Sequence, residues 1–157
     1  MKKKLLIILA IFCIAGFANV HAVGIGAQIN YSAGGINAPG FSALLSPSRD
    51  VHLAANWYLP FNDEAGIIGI TADYAPISIG AGLRFTLGIG VFTNLVFDNN
   101  IGVTGGIRFP VGLSWQVRRN LEIFAHIAPS FGVEFLPSLD FSKLFYPSAI
   151  GARFWLR

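Results

Sequence analysis

Apolar and polar residues alternate along most of the chain, and the longest alternating run is IGVTGGIRFPVGLSWQV at positions 101–117. Every odd position of this run holds an apolar residue or Gly105, while the even positions hold glycine, proline or a polar residue. Successive side chains of a β-strand point to opposite faces, so the alternation predicts a strand. Strands in globular proteins are usually about 5–6 residues long. The length of this run therefore indicates a β-sheet with an unusual solvent on one face.

The same period of two recurs along the chain and predicts eight strands. They span residues 23–32, 40–46, 51–60, 66–75, 80–96, 101–118, 120–134 and 145–157. The connections are rich in turn-forming residues and read SAGGINAPG, SPSRD, FNDEAG, APIS, FDNN, RRN and LPSLDFSK. An even number of strands joined alternately by tight and longer connections is typical of a transmembrane β-barrel. With both chain ends in the periplasm, SPSRD, APIS and RRN become the periplasmic turns and the other connections the outer loops.

The two faces of each predicted strand differ in bulk. Large apolar residues such as Leu121 and Ile123 occupy one face, whereas glycine, serine, threonine and isolated charges such as Glu122 occupy the other. A soluble barrel would turn its bulky face inward and would need many Lys and Glu residues outside. The small polar faces suit a narrow lumen instead. The pattern therefore predicts an eight-stranded antiparallel transmembrane β-barrel whose apolar face contacts lipid.

The first 22 residues have the pattern of a secretory signal peptide. Three lysines precede an apolar run, and Val20-His21-Ala22 suits cleavage before residue 23. The only cysteine, Cys13, lies inside this run and follows a bulky residue, so a lipoprotein site is not expected. Removing the three lysines from 11 basic residues leaves 8, which equals the 8 acidic residues. The composition of the barrel, predicted at residues 23–157, therefore gives no support for nucleic-acid binding. This part also lacks the run of about 20 apolar residues that a spanning helix needs.

Aromatic residues are predicted to form girdles at the two membrane interfaces, as in other barrels of this class. The strand order places one set near the outer rim and a second set near the inner rim. The outer set is Tyr31, Trp57, Phe61, Phe97 and Phe135, and the inner set is Tyr74, Trp115 and Phe154.

Six ionisable residues fall on the polar faces and are the most chemically distinctive group in the chain. They are Asp73, Arg84, Arg108, Glu122, His126 and Arg153. Buried charges are tolerated only when they are paired. We therefore predict an internal salt-bridge network that plugs the lumen and fixes strand register, in preference to a catalytic or ion-conducting group.

No constellation of residues favours catalysis. Enzymes of this architecture that modify lipid A need a serine, a histidine and an acid at the lipid-facing edge. His126 and His52 both point inward by parity, and His21 lies in the predicted signal peptide. Metal-ligand spacing and phosphate-binding loops are also lacking. The sequence therefore predicts no enzyme, no cofactor and no metal site.

Three segments carry a resemblance to a known family: GGIRFPVGLSW, LEIFAHIAPSFGV and AIGARFW, between Gly105 and Trp155. They resemble the C-terminal half of small outer-membrane β-barrel proteins of the OmpA/OmpX type. The resemblance implies eight strands in a bacterial outer membrane and insertion by the barrel-assembly machinery through the last strand. Such chains usually finish with an aromatic residue, whereas this one ends FWLR. Either Phe154 or Trp155 is expected to serve instead, or recognition of the last strand by the assembly machinery is weaker.

The hairpin around Arg118-Arg119-Asn120 gives a more precise prediction. A turn at these residues places Gln116 opposite Glu122, Gly112 opposite His126, and Pro110 near Pro129. Proline cannot donate to a ladder, and a closed barrel has no edge strand to hold it. We therefore predict a bulge or a missing hydrogen bond where the two prolines meet.

Four functions remain open at this stage. The first is an outer-membrane barrel in contact with lipid, with a structural or surface-interaction role and an external ligand that the sequence does not identify. The second is a narrow channel for small solutes, and the third is a soluble secreted barrel that binds lipid. An enzyme that modifies lipid A is the least favoured.

Overall fold

The computed structural model describes residues 22–33, 38–48, 50–59, 66–80, 82–97, 101–136 and 139–156. The predicted signal peptide, apart from Ala22, and Phe61 of the predicted outer girdle lie outside these residues. Ten strands are assigned: β1 Ala22–Ala33, β2 Ala38–Ser46, β3 Val51–Tyr58, β4 Gly66–Ile79, β5 Leu83–Phe97, β6 Ile101–Arg108, β7 Val111–Arg118, β8 Leu121–Ile127, β9 Ser130–Leu136 and β10 Asp140–Leu156. No helix in this part of the chain is long and apolar enough to cross a membrane.

The ten strands form one closed antiparallel barrel with eight strand positions around its circumference. Each of β1 to β5 pairs with the next strand, and β10 closes the ring by pairing with β1. β6 and β7 both pair with β5 and together occupy the sixth strand position. β8 and β9 both pair with β10 and together occupy the seventh. The eight predicted strands are therefore confirmed, with two of them each interrupted once.

Both interruptions lie where the two prolines were expected to meet. Gln116 pairs with Glu122 and Gly112 pairs with His126, as predicted. The ladder stops on both strands at Pro110 and Pro129, although the amide of Phe109 still donates to the carbonyl of Pro129 at 2.9 Å. Since the same register resumes between β6 and β9, the prolines remove hydrogen bonds without shifting the strands.

Two predicted connections were wrong. APIS does not form a turn, because β4 continues through it to Ile79 with a register shift between Tyr74 and Ile77. This irregularity accommodates Pro76, which cannot donate to a regular ladder. The chain turns after β4 at Gly80, whose φ of 109° favours glycine. The predicted loop LPSLDFSK is shorter too, since β10 begins at Asp140 and has its own register shift before Lys143.

The two ends of the barrel differ in the chain ends and connections that they hold. Residues 47–50, 80–82 and 119–120 connect strands at the end where β1 begins and β10 finishes, which we call the terminal end. The opposite end, which we call the loop end, has the connections at residues 34–37, 59–65, 98–100 and 137–139. The predicted contrast in connection length is thus small.

Burial is inverted relative to a soluble protein. Among the described residues, 35 large apolar side chains are exposed, by 37% to 72%, whereas the buried apolar residues are only Ala75, Phe92, Phe124, Ala128, Ala149 and Trp155. The predicted outward faces therefore do point outward, and glycine and polar residues face the lumen. Such a large apolar outer surface needs an apolar solvent.

The stagger of the strands sets the width of the lumen. The register, followed from Leu83 around the barrel, returns to β5 at Leu95, twelve residues further along. The intermediate positions are Trp115, Ile123, Ala152, Ala27, Phe41, Trp57 and Ile68. Tilt, stagger and diameter are linked in barrels. A stagger of twelve therefore gives a wider interior than the stagger of eight in the packed eight-stranded TIM barrel.

Candidate functional site

Among the residues that the structure describes, four of the six predicted residues form two ion pairs in the lumen. In the first, near the terminal end, Arg153 Nη1 lies 3.4 Å from Glu122 Oε2. The same carboxylate oxygen accepts a hydrogen bond from the indole Nε1 of Trp155 at 2.7 Å. Both side chains of the ion pair are nearly buried, with 11% and 12% exposed. Glu122 is therefore held by two donors on β10.

Arg153 is also fixed by aromatic rings. Its guanidinium lies 4.2 Å from the ring centroid of Phe124 and 5.6 Å from that of Trp155. A side chain at Gly24 of β1 would overlap Arg153, so the absence of one lets the arginine lie flat against the barrel wall. The cation is therefore placed by stacking as well as by its carboxylate.

The second ion pair spans a strand. Asp73 on β4 and Arg108 on β6 both pair with Gly90 of β5, which lies between them. The carboxylate Oδ1 and the guanidinium Nε are 3.3 Å apart, across a position with no side chain. The two atoms make no hydrogen bond with described residues, so their contact is a charge pair without hydrogen-bond alignment. The Asp73–Arg108 ion pair therefore depends on glycine at position 90.

The other two predicted residues also line the lumen but stand outside these pairs. His126 stacks on Phe124 with ring centroids 5.9 Å apart and an interplanar angle of 11°. Arg84 lies near the terminal end, in the second position of β5. Neither residue belongs to an ion pair among the described residues.

A cluster of neutral amides was missed by the sequence reasoning. Gln28 Nε2 donates to Asn30 Oδ1 at 2.7 Å and to Asn56 Oδ1 at 3.3 Å, which joins β1 to β3 through the lumen. Their inward parity is visible in the alternating pattern, but neutral amides have no charge or titratable group to distinguish them from other polar residues. A further polar contact near the terminal end joins Ser46 Oγ and His52 Nδ1 at 3.1 Å.

The centre of the lumen contains a cavity of about 350 Å³. Its wall includes all six predicted ionisable residues, the amides Gln28, Asn30, Asn56 and Asn94, and the rings of Tyr58, Phe92, Phe124 and Phe145. This volume lies at the lower end of the range for small-molecule sites. Among the described residues, no group of three or more His, Cys, Asp or Glu side chains could hold a metal ion.

The described residues of the predicted girdles all lie on the outer surface. Tyr31, Trp57, Phe97 and Phe135 lie close to the strand ends at the loop end, and Tyr74, Trp115 and Phe154 lie close to the terminal end. For the second set, the paired residues are Val51, Leu83 and Leu121, each the first residue of its strand. Exposed aromatic side chains therefore flank the apolar surface at both ends.

Comparison with known proteins assigns the family. The model of the family described as "Protein of unknown function (DUF3996)" matches residues 68–154, which is more than half of the chain. The chain belongs to the DUF3996 family. No curated protein matches it.

Solved structures with the same fold include the N-terminal β-barrel domain of OprF from Pseudomonas aeruginosa. It is 18% identical, with a TM-score of 0.61 over 87% of this chain and 98% of that chain. The neisserial surface protein NspA is also 18% identical, with a TM-score of 0.51 over 86% of this chain and 95% of that chain. This DUF3996 chain is thus similar in fold to small outer-membrane barrels, which confirms the predicted resemblance at that level.

Proposed function

We propose that this protein is an integral outer-membrane barrel with a structural or surface-interaction role. The observation that carries the proposal is the continuous apolar outer surface of a closed barrel with 35 exposed large apolar side chains. Closure of the barrel lets the backbone N–H and C=O groups form hydrogen bonds between strands. The apolar outer surface is then in contact with lipid in place of water. The outward direction of the apolar side chains argues against a soluble lipid-binding barrel, whose apolar face would point inward.

The proposed orientation places the terminal end in the periplasm and the loop end outside. Residues 1–22 act as a cleaved signal peptide, and the barrel-assembly machinery recognises the last strand. The aromatic side chains near both rims support this placement, because Trp and Tyr favour the membrane interfaces. The connections at the loop end then form the surface available to an external ligand.

In this proposal the lumen has a structural role and performs no catalysis. The Glu122–Arg153 pair joins the adjacent strands β8 and β10, and the Asp73–Arg108 pair joins β4 to β6 across β5. Paired charges narrow the lumen and favour one arrangement of the strands.

A narrow channel for small solutes is the second candidate, and the cavity of about 350 Å³ favours it. The cavity wall includes Arg84 and Val96, the second and the second-to-last residues of β5, so open space extends along the lumen.

Heat modifiability and conductance test these proposals. Washed membranes should retain the protein, and unboiled protein should migrate as a compact band that shifts on boiling. Release into the soluble fraction without a band shift would overturn the membrane proposal. In planar bilayers the structural role predicts no discrete conductance, whereas repeated unitary steps that disappear in a protein-free control would favour the channel.

A further inference from the structure

One row of inward-facing residues, eight of them polar and two of them glycines, runs along the lumen. Neighbouring positions in the register link these residues from the terminal end to the loop end, and we call the row the polar track. It consists of Gln116, Glu122, Arg153, Gly26, Ser42, Asn56, Gly69, Asn94, Thr104 and Glu134. The stagger of twelve makes this row wind from one end of the barrel to the other.

Open space beside the track exists because large side chains lie over glycines. Tyr58 and Asn94 lie over Gly69, with atoms 3.3 Å and 2.9 Å from the position that a Cβ would occupy. Phe145 occupies the corresponding place over Gly132, 2.8 Å from the Cβ position, and packs edge-on against Phe92. The side chains therefore follow the wall and leave the central cavity of about 350 Å³.

The chemistry of the track changes along its length. Its charged residues are Glu122 and Arg153 near the terminal end, which neutralise each other, and Glu134 near the loop end, which does not line the cavity. Further along, the groups that line the cavity are Asn56, Asn94 and Thr104, all uncharged. Amides and hydroxyls both donate and accept hydrogen bonds. A polyhydroxy compound can satisfy such groups without the cost of burying a charge.

We propose that the lumen binds a small uncharged polyhydroxy compound of the sugar or polyol class, held by Asn56, Asn94 and Thr104. The rings of Phe92 and Phe145 line the same cavity and offer apolar surface to the C–H faces of such a molecule. Charged analogues bind less well, because Arg108 and Arg153 already face Asp73 and Glu122. Arg84, which stands outside these pairs, lies ten residues from Asn94 along β5, near the terminal end. The site depends on the fold alone and is independent of the role proposed for the barrel.

The test uses the folded barrel in detergent micelles with ¹⁵N-labelled side-chain amides. Glucose, glucuronate and glucosamine serve as probes because they have similar size and differ in charge. The amide signals of Asn56 and Asn94 are followed by NMR during each titration. The test variant is Asn56→Leu/Asn94→Leu, observed through the amide of Gln28. The matched control is Ala55→Leu/Thr93→Leu, which changes the neighbouring outward-facing positions.

We expect saturable shifts with glucose, binding at least tenfold weaker in the test variant, and unchanged binding in the control. Thr104→Val, which keeps the shape of the side chain, should weaken binding severalfold and serves if the double variant does not fold. Absence of saturation with glucose, equal binding in all variants, or tighter binding of glucuronate or glucosamine would overturn the proposal. A wild-type barrel that binds glucose in micelles but is absent from membranes would overturn the proposed function and leave this site intact.

Discussion

A single arginine on the outer surface should destabilise the barrel in proportion to its depth in the membrane. Val91 and Leu83 both point outward on β5, with 55% and 62% of their surface exposed. Leu83 is the first residue of this 15-residue strand, and Val91 is the ninth and thus lies near its middle. Their similar exposure and shared strand make Val91→Arg and Leu83→Arg a matched pair.

The strand geometry gives the expected magnitude. Eight residues at ~3.3 Å each, tilted by roughly 45°, separate the two positions by ~19 Å along the barrel axis. The apolar band of such barrels is ~25 Å tall. Val91 therefore lies near the midplane and Leu83 near the terminal rim. An arginine costs about 2–4 kcal/mol at the midplane and about 0–1 kcal/mol near an interface.

Equilibrium unfolding by urea in phospholipid vesicles measures both costs. Folded and unfolded fractions can be read from the shift of the unboiled band and from tryptophan fluorescence. We expect Val91→Arg to lower the free energy of unfolding by about 2–4 kcal/mol and Leu83→Arg by less than about 1 kcal/mol. Equal costs at the two positions, or no cost at Val91, would refute the view that this surface lies in lipid.

Three further predictions concern the lumen, all measured by the same unfolding assay. Arg108→Met should destabilise the barrel by about 3 kcal/mol, because it leaves the Asp73 carboxylate nearly buried and unpaired. A loss of less than about 1 kcal/mol in the free energy of unfolding would contradict the pairing. Gly90→Ala should cost about 1–3 kcal/mol, since the methyl group would overlap the same carboxylate, whereas Gly66→Ala, with no atom within 4 Å, should cost little. Trp155→Phe should cost about 1.5–3 kcal/mol by removing a hydrogen bond to a carboxylate, and an unchanged stability would show that the 2.7 Å contact is not formed.

The strands and their faces could be predicted because period-two alternation is a local property. The inward positions of Asp73, Glu122, Arg108 and Arg153 follow directly from their parity, and each residue reaches a partner of opposite charge. Their partners depend on which strands are adjacent in the closed ring. Asp73 could not be matched to Arg108 from parity alone, because the match requires both the strand order and a glycine between them.

The turns were harder to predict because residue type alone did not decide where the chain reverses. Pro76 suggested a turn at APIS, but a local irregularity of β4 absorbs the proline and moves the turn to Gly80. The same residue type was informative at Pro110 and Pro129, where two prolines face each other across a hairpin of known turn. Proline thus marks a lost hydrogen bond reliably and a chain reversal less so.

The cavity in the lumen could not be predicted, because the width of the lumen depends on the sum of all strand registers. Eight strands alone are compatible with an interior filled by side chains or with one that holds a small ligand. The stagger of twelve favours the second arrangement, and glycines such as Gly69 and Gly132 let neighbouring side chains lie along the wall. The same two features make the ion pairs and the cavity compatible. Charges paired across a wall glycine such as Gly90 remain near the surface of the lumen, so pairing them does not require filling the centre.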